Sequence, residues 1–281
     1  MAGTLFVVAT PLGNLGDWPP RARDVVAAAD LVLVEDTRVS RKLFNAFELH
    51  PSVRVLEKHR ERRETGRILE ELQSGRDIAL LSDAGTPGIA DPGALLVSAA
   101  LDAGVAVVAV PGPSILAAAL SVSGVDTLPI LFHGYPPAKS SEQRTLLQDM
   151  LGDTRTAHIL LLPPHDAATF LDLIDEWIPA RRLVLCRELT KRHESVISGT
   201  ASQIHSALSQ AEAFRGEMTL VIHAATEHVG DQETSDLLAE ARRLRQEYGL
   251  WGRDLSDFLA FKANVPRRTA YRIVEDLKAE D

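Results

Sequence analysis

The stretch S-D-A-G-T-P-G-I-A-D-P-G, residues 82–93, decides how the rest of this chain is interpreted. It follows the apolar run I-A-L-L at 78–81, and open α/β sheets present backbone groups to small ligands on loops of this kind, rich in glycine and proline, at strand ends. The glycines allow a ligand to approach the main chain, while the prolines hold the loop in one shape. The loop contains Asp83 and Asp91 but no lysine or arginine, so we expect a ligand that is not rich in phosphate. The alternative is a long turn without a ligand.

Composition indicates a globular protein of two ordinary domains. The chain has 281 residues, of which 45% are hydrophobic and 25% charged. The start of the chain reads as a strand rather than a signal peptide, and the most apolar region, 95–125, is interrupted by Asp102, Gly104 and Pro111, so we expect no membrane span. Cys186 is the single cysteine, which excludes an internal disulfide and fits a reducing compartment. We therefore expect a cytoplasmic protein.

The net charge of −9 argues against a surface that is basic throughout, so a nucleic-acid partner would have to bind local patches. One candidate patch lies within 58–67, where glutamates alternate with the cations and could pair with them along a helix. The second lies within 262–272, near the C-terminus. Taken alone, each segment is more typical of a solvated helix face than of a binding surface.

The first part of the chain, 1–130, has the pattern of a parallel sheet. Short, continuously apolar runs at 5–8, 31–34, 78–81 and 105–110 alternate with helical patterns, which is typical of a mostly parallel sheet covered on both faces. The fold class is therefore α/β. A proline-rich, aromatic connection near residue 130 marks the expected domain boundary.

A second α/β unit is expected at 131–230, and a helical tail at 231–281. In the second unit we predict strands at 158–162, 183–187 and 218–223, and helices at 167–177 and 201–210. In the tail we predict helices at 237–247, 255–262 and 266–277, with a short turn between the last two. This pair resembles a helix-turn-helix, whose second helix begins with basic residues when it meets nucleic acid. A helical hairpin that only packs on the body or on a second copy is the alternative.

Six further motifs accompany the 82–93 loop: T-P-L-G-N-L-G-D (10–17), V-E-D-T-R (34–38), P-G-P-S (111–114), G-Y-P-P-A-K (134–139), R-E-L-T-K (187–191) and G-E-M (216–218). Together and in this order they closely resemble the tetrapyrrole methylase superfamily, and within it the branch that methylates a cytidine 2′-oxygen of 16S ribosomal RNA near the decoding centre. The resemblance implies a class III methyltransferase with two α/β domains around a cofactor cleft and a small helical tail. It also implies a homodimer whose partner is 16S rRNA within the small ribosomal subunit, with no membrane and no metal.

The resemblance implies S-adenosylmethionine as the cofactor, with its contacts at Pro11, Leu12, Asp83, Gly85, Ile89, Asp91, Ser114 and Met218. Our hypothesis places Asp36, Lys139 and Glu188 at the substrate mouth as catalytic residues, because each follows a strand end or lies at the domain joint. We expect Arg38, Arg187 and Lys191 to steer phosphates, together with Arg267, Arg268 and Arg272 of the tail. For the segment around Asp36, an ion-pair network at an interface is the alternative.

The chain departs from the family pattern at one place. Where relatives have approximately F-Y-E-S-P-H-R, this sequence has L-L-L-P-P-H-D at 160–166, so Leu162 and Asp166 replace an acid and a base. This departure keeps open a methyltransferase for a tetrapyrrole or another small molecule, and a non-catalytic ribosome-binding protein. An NAD-linked oxidoreductase is disfavoured because the first strand is followed by T-P-L-G-N-L-G rather than G-x-G-x-x-G.

Overall fold

The computed structural model describes residues 2–126, 128–211, 213–225, 231–263, 265 and 267–279. Contacts divide the chain into two compact units, 1–225 and 226–281. The first unit contains two five-stranded sheets, and the second is helical. Within the described ranges, no helix is both long and apolar enough to cross a membrane.

The first sheet is entirely parallel, as the continuous apolar runs predict. Its strands occur in the order β3-β2-β4-β1-β5 and are β1 (Thr4–Val8), β2 (Leu31–Val34), β3 (Val53–Val55), β4 (Ile78–Leu81) and β5 (Ala106–Val110). Strand β3 has no counterpart in the sequence prediction, because it is three residues long and its two valines are exposed at the sheet edge.

Helices cover both faces of this sheet. One core combines strand residues with α1 (Pro20–Ala28) and α2 (Thr37–Ala46). The other combines strand residues with α3 (Glu61–Gln73) and α4 (Ala94–Asp102). Because all five strands run parallel, their carboxyl ends lie at one edge, and the loop 82–93 leaves β4 at that edge.

The second sheet is mostly antiparallel. Its order is β6-β7-β10-β8-β9, and only the β6–β7 pair is parallel. The strands are β6 (Ile130–Phe132), β7 (Ala157–Leu162), β8 (Leu183–Arg187), β9 (Ser195–Gly199) and β10 (Met218–Ile222). Strands β6 and β9 lie at the sheet edges, are partly exposed and are missing from the sequence prediction.

A helix that follows the first sheet helps to join the two sheets. Helix α5 (Ile115–Ser123) packs against β8, β9 and β10, and its Ala119 lies in one core with Ile159, Val184 and Val221. The opposite face of the second sheet is covered by α6 (Ser140–Gly152), α7 (Pro164–Trp177) and α8 (Ala201–Gln210). The two sheets therefore belong to one compact unit.

The second unit has its own small core. It contains α9 (Asp231–Tyr248), α10 (Gly252–Lys262) and α11 (Arg267–Ala279), which contact one another through residues such as Leu244, Leu259 and Ile273. Asn264 of the predicted turn and Pro266, the first residue of the last predicted helix, lie outside the described residues, as do the side chains of Arg267 and Arg268.

Candidate functional site

A cavity of about 330 Å³ lies in the first unit, against the loop that follows β4. Both sheets contribute to it, and its volume falls within the roughly 300–1,000 Å³ of small-molecule sites. The first sheet and its loops supply Leu12, Asp83, Ala84, Gly85, Thr86, Ile89, Asp91, Ser114 and Ile115. The second supplies Tyr135, Leu161, Leu162, Pro163, Pro164, Cys186, Leu189, Gly216, Glu217, Met218 and Thr219.

Backbone pairing with the loop after β1 fixes the start of the 82–93 loop. Thr10 and Gly85 exchange both backbone hydrogen bonds, with N···O distances of 2.8 and 3.1 Å. The Thr10 hydroxyl also donates to the carbonyl of Ser82 at 3.1 Å. Gly85 has a φ of +80°, and a Cβ there would lie 3.1 Å from Cδ2 of Leu12, so the position favours glycine. The conformation of this loop is therefore set by its pairing with the loop after β1.

A buried carboxylate fixes the end of the same loop. Glu61, at the start of α3, is 4% exposed, and its Oε1 accepts hydrogen bonds from the N–H groups of Gly93, Leu95 and Leu96 at 2.9, 2.9 and 3.1 Å. These N–H groups belong to the first turn of α4 and its cap, which leave their donors without partners inside the helix. Glu61 therefore ties α3 to the end of the loop that lines the cavity.

The side of the cavity that the first sheet and its loops form is acidic. Burial first, and then the charge of Asp83, raises the pKa of Asp91 to about 6. Burial also raises the pKa of Asp83, and burial together with Asp91 and Asp83 raises that of nearby Glu35. Among the residues that line the cavity there is no lysine, arginine or histidine. A ligand with positive charge would therefore relieve the repulsion between these carboxylates.

The side of the cavity that the second sheet and its loops form is largely apolar. Leu161, Leu162, Pro163 and Pro164, at the end of β7 and the start of α7, form part of this wall. Cys186 also lines it, and burial raises the pKa of its thiol to about 11, so the thiol is neutral. An acidic side facing an apolar side suits a ligand that joins a cation to a flat, weakly polar group.

A hydrogen-bonded group of three charged residues forms the rim of the apolar side. Glu188 Oε1 accepts from the Glu217 N–H at 2.8 Å and from Lys191 Nζ at 3.0 Å, and Lys191 Nζ also lies 3.1 Å from Glu217 Oε2. Together the Glu217 N–H and the Lys191 ammonium hold the pKa of Glu188 below its ordinary value. Burial lowers the pKa of Lys191, but its hydrogen bonds to the two glutamates outweigh this and raise it overall. Glu188 and Lys191 are therefore held in their charged forms.

The backbone around this group is in an uncommon conformation. Glu188 and Thr190 have φ values of +51° and +66°, in the left-handed region that side chains disfavour. Gly216 packs under Glu188, because a Cβ there would lie 2.6 Å from the Glu188 carboxyl carbon. A Cβ on Gly13 would lie 2.2 Å from Cγ of Lys191, so the Lys191 side chain crosses the loop after β1. The loop after β8 therefore packs against the loop after β1.

Seven of the eight residues that the resemblance assigns to the cofactor line the cavity. They are Leu12, Asp83, Gly85, Ile89, Asp91, Ser114 and Met218. Pro11 is buried and is not among the described residues that line it.

The residues expected at the substrate mouth are not brought together. Asp36 caps α2 and pairs with Arg38, Lys139 pairs with Glu142 at 2.9 Å, and Glu188 belongs to the rim. Within the part of the chain that the structure describes, none of these three side chains lines the cavity. The Asp36 backbone N–H donates to Asp83 Oδ1 at 3.0 Å, so Asp36 lies next to the acidic side.

The residues expected to steer phosphates differ in how exposed they are. Arg38 is fully accessible on α2, with 88% of its side chain exposed, and Arg272 is exposed on α11. Arg187 instead donates its Nε to the carbonyls of Ala213 and Arg215 at 3.1 and 3.0 Å, and its Nη1 to that of His193. Its guanidinium therefore holds loops together.

Several lining residues are absent from the sequence-based set, including Thr86, Tyr135, Cys186, Leu189 and Glu217. Tyr135 and Glu217 lie inside the 134–139 and 216–218 motifs, so the motifs pointed to them without distinguishing them from their neighbours. Tyr135 lines the cavity, and burial, followed by the charges of Asp91, Glu217 and Glu35, raises the pKa of its phenol.

The segment that departs from the family pattern is part of the cavity wall. Leu162 lines the cavity, whereas Asp166 is exposed and lies 3.3 Å from His165 Nε2. The substitution at Leu162 therefore makes the wall more apolar, while the change at Asp166 affects the surface.

Comparison with known protein families supports the resemblance. The family model for Tetrapyrrole (Corrin/Porphyrin) Methylases matches residues 4–205. The chain belongs to this family. Two solved family-type folds are similar: the methyltransferase CobJ, with a TM-score of 0.58 at 18% identity over 82% of this chain and 98% of that one, and diphthine synthase, with a TM-score of 0.58 at 16% identity over 79% and 90%. The expected α/β fold of the tetrapyrrole methylase type is confirmed.

Two relatives that cover most of this chain share one name. Ribosomal RNA small subunit methyltransferase I of Synechocystis sp. is 37% identical over 278 residues, which cover 99% of each chain. The protein of the same name from Neisseria meningitidis serogroup B is 40% identical over 84% of this chain and 81% of its own. The similarity to the Synechocystis protein thus extends through the C-terminal unit.

Proposed function

We propose that this protein transfers a methyl group from S-adenosylmethionine to the ribose 2′-oxygen of a cytidine in 16S rRNA, within the small ribosomal subunit in the cytoplasm. The observation that carries the proposal is the 37% identity over 99% of both chains to a relative named for small-subunit rRNA methylation. The cytidine and the 2′-oxygen come from the motif resemblance.

The residues of the cavity fit this cofactor. S-adenosylmethionine joins a sulfonium cation to an adenosine and an amino acid and has no phosphate. Asp83 and Asp91 supply negative charge, the loop 82–93 offers backbone groups, and the wall around Leu162 and Met218 is apolar. When bound, the cofactor would supply an electrophilic methyl group, which the ribose oxygen takes as that hydroxyl loses its proton.

The protein's contribution to such a transfer is mainly to orient the two reactants and to exclude water. Of the three proposed catalytic residues, Glu188 has the strongest support, because it is held as a carboxylate beside Glu217, which lines the cavity. A carboxylate at the rim can accept the hydrogen bond of the acceptor hydroxyl. Asp36 and Lys139 stay proposals for contacts with the RNA outside the cavity.

A homodimer is part of the proposal. Leu95 and Leu101 of α4 and Val122 of α5 are 45%, 60% and 46% exposed, and β5 is an apolar edge strand with Ala106 and Ala109 exposed. Exposed apolar side chains on neighbouring elements, such as α4 and β5, favour an interface. A monomer mass by sedimentation equilibrium at micromolar concentration would contradict it.

The experiment for the proposed function has two readouts. Binding of S-adenosylmethionine is measured by calorimetry, and labelled methyl incorporation is measured with small ribosomal subunits from a strain that lacks this gene, with large subunits as the control. We expect binding, and incorporation into small subunits alone. Binding without incorporation into either subunit would contradict the proposed substrate.

A further inference from the structure

Six exposed cations lie on the segments that leave β2 and β3, besides Arg38, which pairs with Asp36, and Arg67, which lies 3.7 Å from Glu71. Arg41 and Lys42 are on α2, which follows β2, and the other four are on the segment after β3: Lys58, Arg60, Arg62 and Arg63. Strands β2 and β3 are parallel neighbours, so the chain leaves both at the same edge of the sheet. We call these six residues the basic rim.

The glutamates on the same segment do not form ion pairs with every cation of the basic rim. Glu61 is buried and directed at the first turn of α4, while Glu57 pairs with Arg60 at 3.0 Å and Glu64 lies 3.7 Å from Arg63. Across the described part of the chain, no ion pair involves Arg41, Lys42 or Arg62. Arg41, Lys42 and Arg62 therefore carry positive charge that no described ion pair engages, in a chain whose net charge is −9.

Hydrogen bonds join the basic rim to the loop that lines the cavity. Lys58 Nζ donates to the carbonyl of Ala90 at 3.0 Å, one residue before Asp91. At the start of α2, the Asp36 N–H donates to Asp83 Oδ1 at 3.0 Å. Asp83 and Asp91 both line the cavity. The basic rim is thus fixed in position relative to the cavity where a small ligand would bind.

We propose that the basic rim binds the ribose-phosphate backbone of the RNA that flanks the methylated nucleotide. This inference rests on the proposed function, because it takes the acceptor to be RNA. Exposed lysine and arginine side chains fix the register of a nucleic acid through its phosphates without reading its sequence. A local basic patch on an otherwise acidic protein concentrates a polyanion at that patch. The rim therefore supplies affinity beside the cavity, independently of the C-terminal unit.

The test replaces the three rim cations that have no described ion pair, as Arg41→Ala, Lys42→Ala and Arg62→Ala together. Equilibrium binding to purified small subunits and to naked 16S rRNA is measured over a series of salt concentrations, alongside calorimetric binding of S-adenosylmethionine. We expect the Kd for both RNA targets to rise roughly tenfold or more. The negative slope of log association constant against log salt concentration should become shallower by roughly 2. The Kd for S-adenosylmethionine is expected to stay at the wild-type value, and KM for subunits to rise with kcat unchanged.

The matched control removes three exposed arginines of the second domain, as Arg144→Ala, Arg155→Ala and Arg182→Ala. Equal weakening by this control would overturn the proposal, because it would indicate a general charge effect. So would wild-type affinity and salt slope in the rim variant, or loss of subunit binding with naked 16S rRNA bound as before, since that places a ribosomal protein on the rim. Wild-type protein that binds RNA through the rim but transfers no methyl group would refute the proposed function and leave the rim standing.

Discussion

Asp91 is a residue of the cavity whose charge changes near pH 6. It lies in the cavity with Asp83, and burial followed by that neighbouring charge raises its pKa to about 6 from 3.8. Its carboxylate is therefore ionised at pH 7.5 and largely protonated below pH 5. The proposed ligand carries a sulfonium cation, so its affinity should depend on this ionisation.

We predict that the affinity for S-adenosylmethionine falls as the pH is lowered through about 6, and that Asp91→Asn removes most of this dependence. The same variant should be more stable at pH 7.5, by about 1 kcal/mol after allowance for solvent screening, because ionising Asp91 costs more in the folded than in the unfolded chain. Since the folded pKa is the higher one, this gain should disappear as the pH falls toward 4. Calorimetry and thermal melting across pH 4–8 measure both effects.

Asp166→Asn is the control, because Asp166 is exposed and outside the cavity lining. An Asp91→Asn variant whose ligand affinity follows the wild-type pH curve would show that Asp91 does not face the cation.

At the scale of residues, the sequence predicts the loop 82–93 better than the rest of the site. Its glycines, prolines and acids indicate by themselves a loop that binds a small ligand through its backbone, while Asp83, Gly85 and Ile89 are assigned to the cofactor through the motif resemblance. Glu217 and the role of Arg187 could not, because their environments depend on residues far away in the chain, such as Glu188 and Ala213. Charge type alone did not distinguish a phosphate-steering arginine from one that binds carbonyls.

At the scale of elements, the junction between α3 and α4 controls the cofactor loop. The Glu61 carboxylate accepts three N–H groups at the start of α4 and is buried there. Hydrogen bonds to a charged group in such a place are stronger than neutral ones. The end of the 82–93 loop therefore depends on a residue of the preceding helix.

We predict that Glu61→Gln lowers the free energy of unfolding by about 1–3 kcal/mol and weakens S-adenosylmethionine binding. The physical reason is that a neutral amide holds the α4 donors less strongly, so the loop is ordered less well before binding. Thermal denaturation and calorimetry measure the two effects.

Glu64→Gln on the same helix is the matched control, since Glu64 makes only a 3.7 Å contact with Arg63. If both variants lost the same stability and ligand affinity, the capping role of Glu61 would be refuted.

Elements also mark where sequence patterns stop being informative. The long apolar strands β2 and β4 are buried on both faces and could be predicted from composition. Strands β3, β6 and β9 lie at sheet edges, where their residues are only partly buried and the apolar pattern fades, although β9 is one residue longer than β2 or β4. The packing of α5 on the second sheet is a contact between distant segments that no local pattern encodes.

On the scale of the whole molecule, the C-terminal unit has its own core, and the pattern of contacts divides it from the first unit after residue 225. Every described residue that lines the cavity belongs to the first unit. The proposed RNA contacts of the tail, Arg267, Arg268 and Arg272, belong to the second unit. Cofactor binding and part of the RNA binding should therefore be separable.

We predict that a chain ending at residue 225 binds S-adenosylmethionine with wild-type affinity, because the cavity and the cores of both sheets are retained. Its KM for small subunits should rise, because it lacks the tail. Full-length Arg272→Ala, which keeps the helical unit, is the companion variant and should raise KM by a smaller factor. Unchanged KM in the truncated chain would show that the tail takes no part in subunit binding.

The central claim is methyl transfer to a ribose oxygen of 16S rRNA, and mapping the product tests it most directly. Small subunits from a strain that lacks this gene are incubated with the protein and S-adenosylmethionine carrying a labelled methyl group, and the RNA is digested to nucleosides for mass spectrometry. The account predicts label in 2′-O-methylcytidine from 16S rRNA. Label on a base, or no label in rRNA while a tetrapyrrole is methylated, would contradict it.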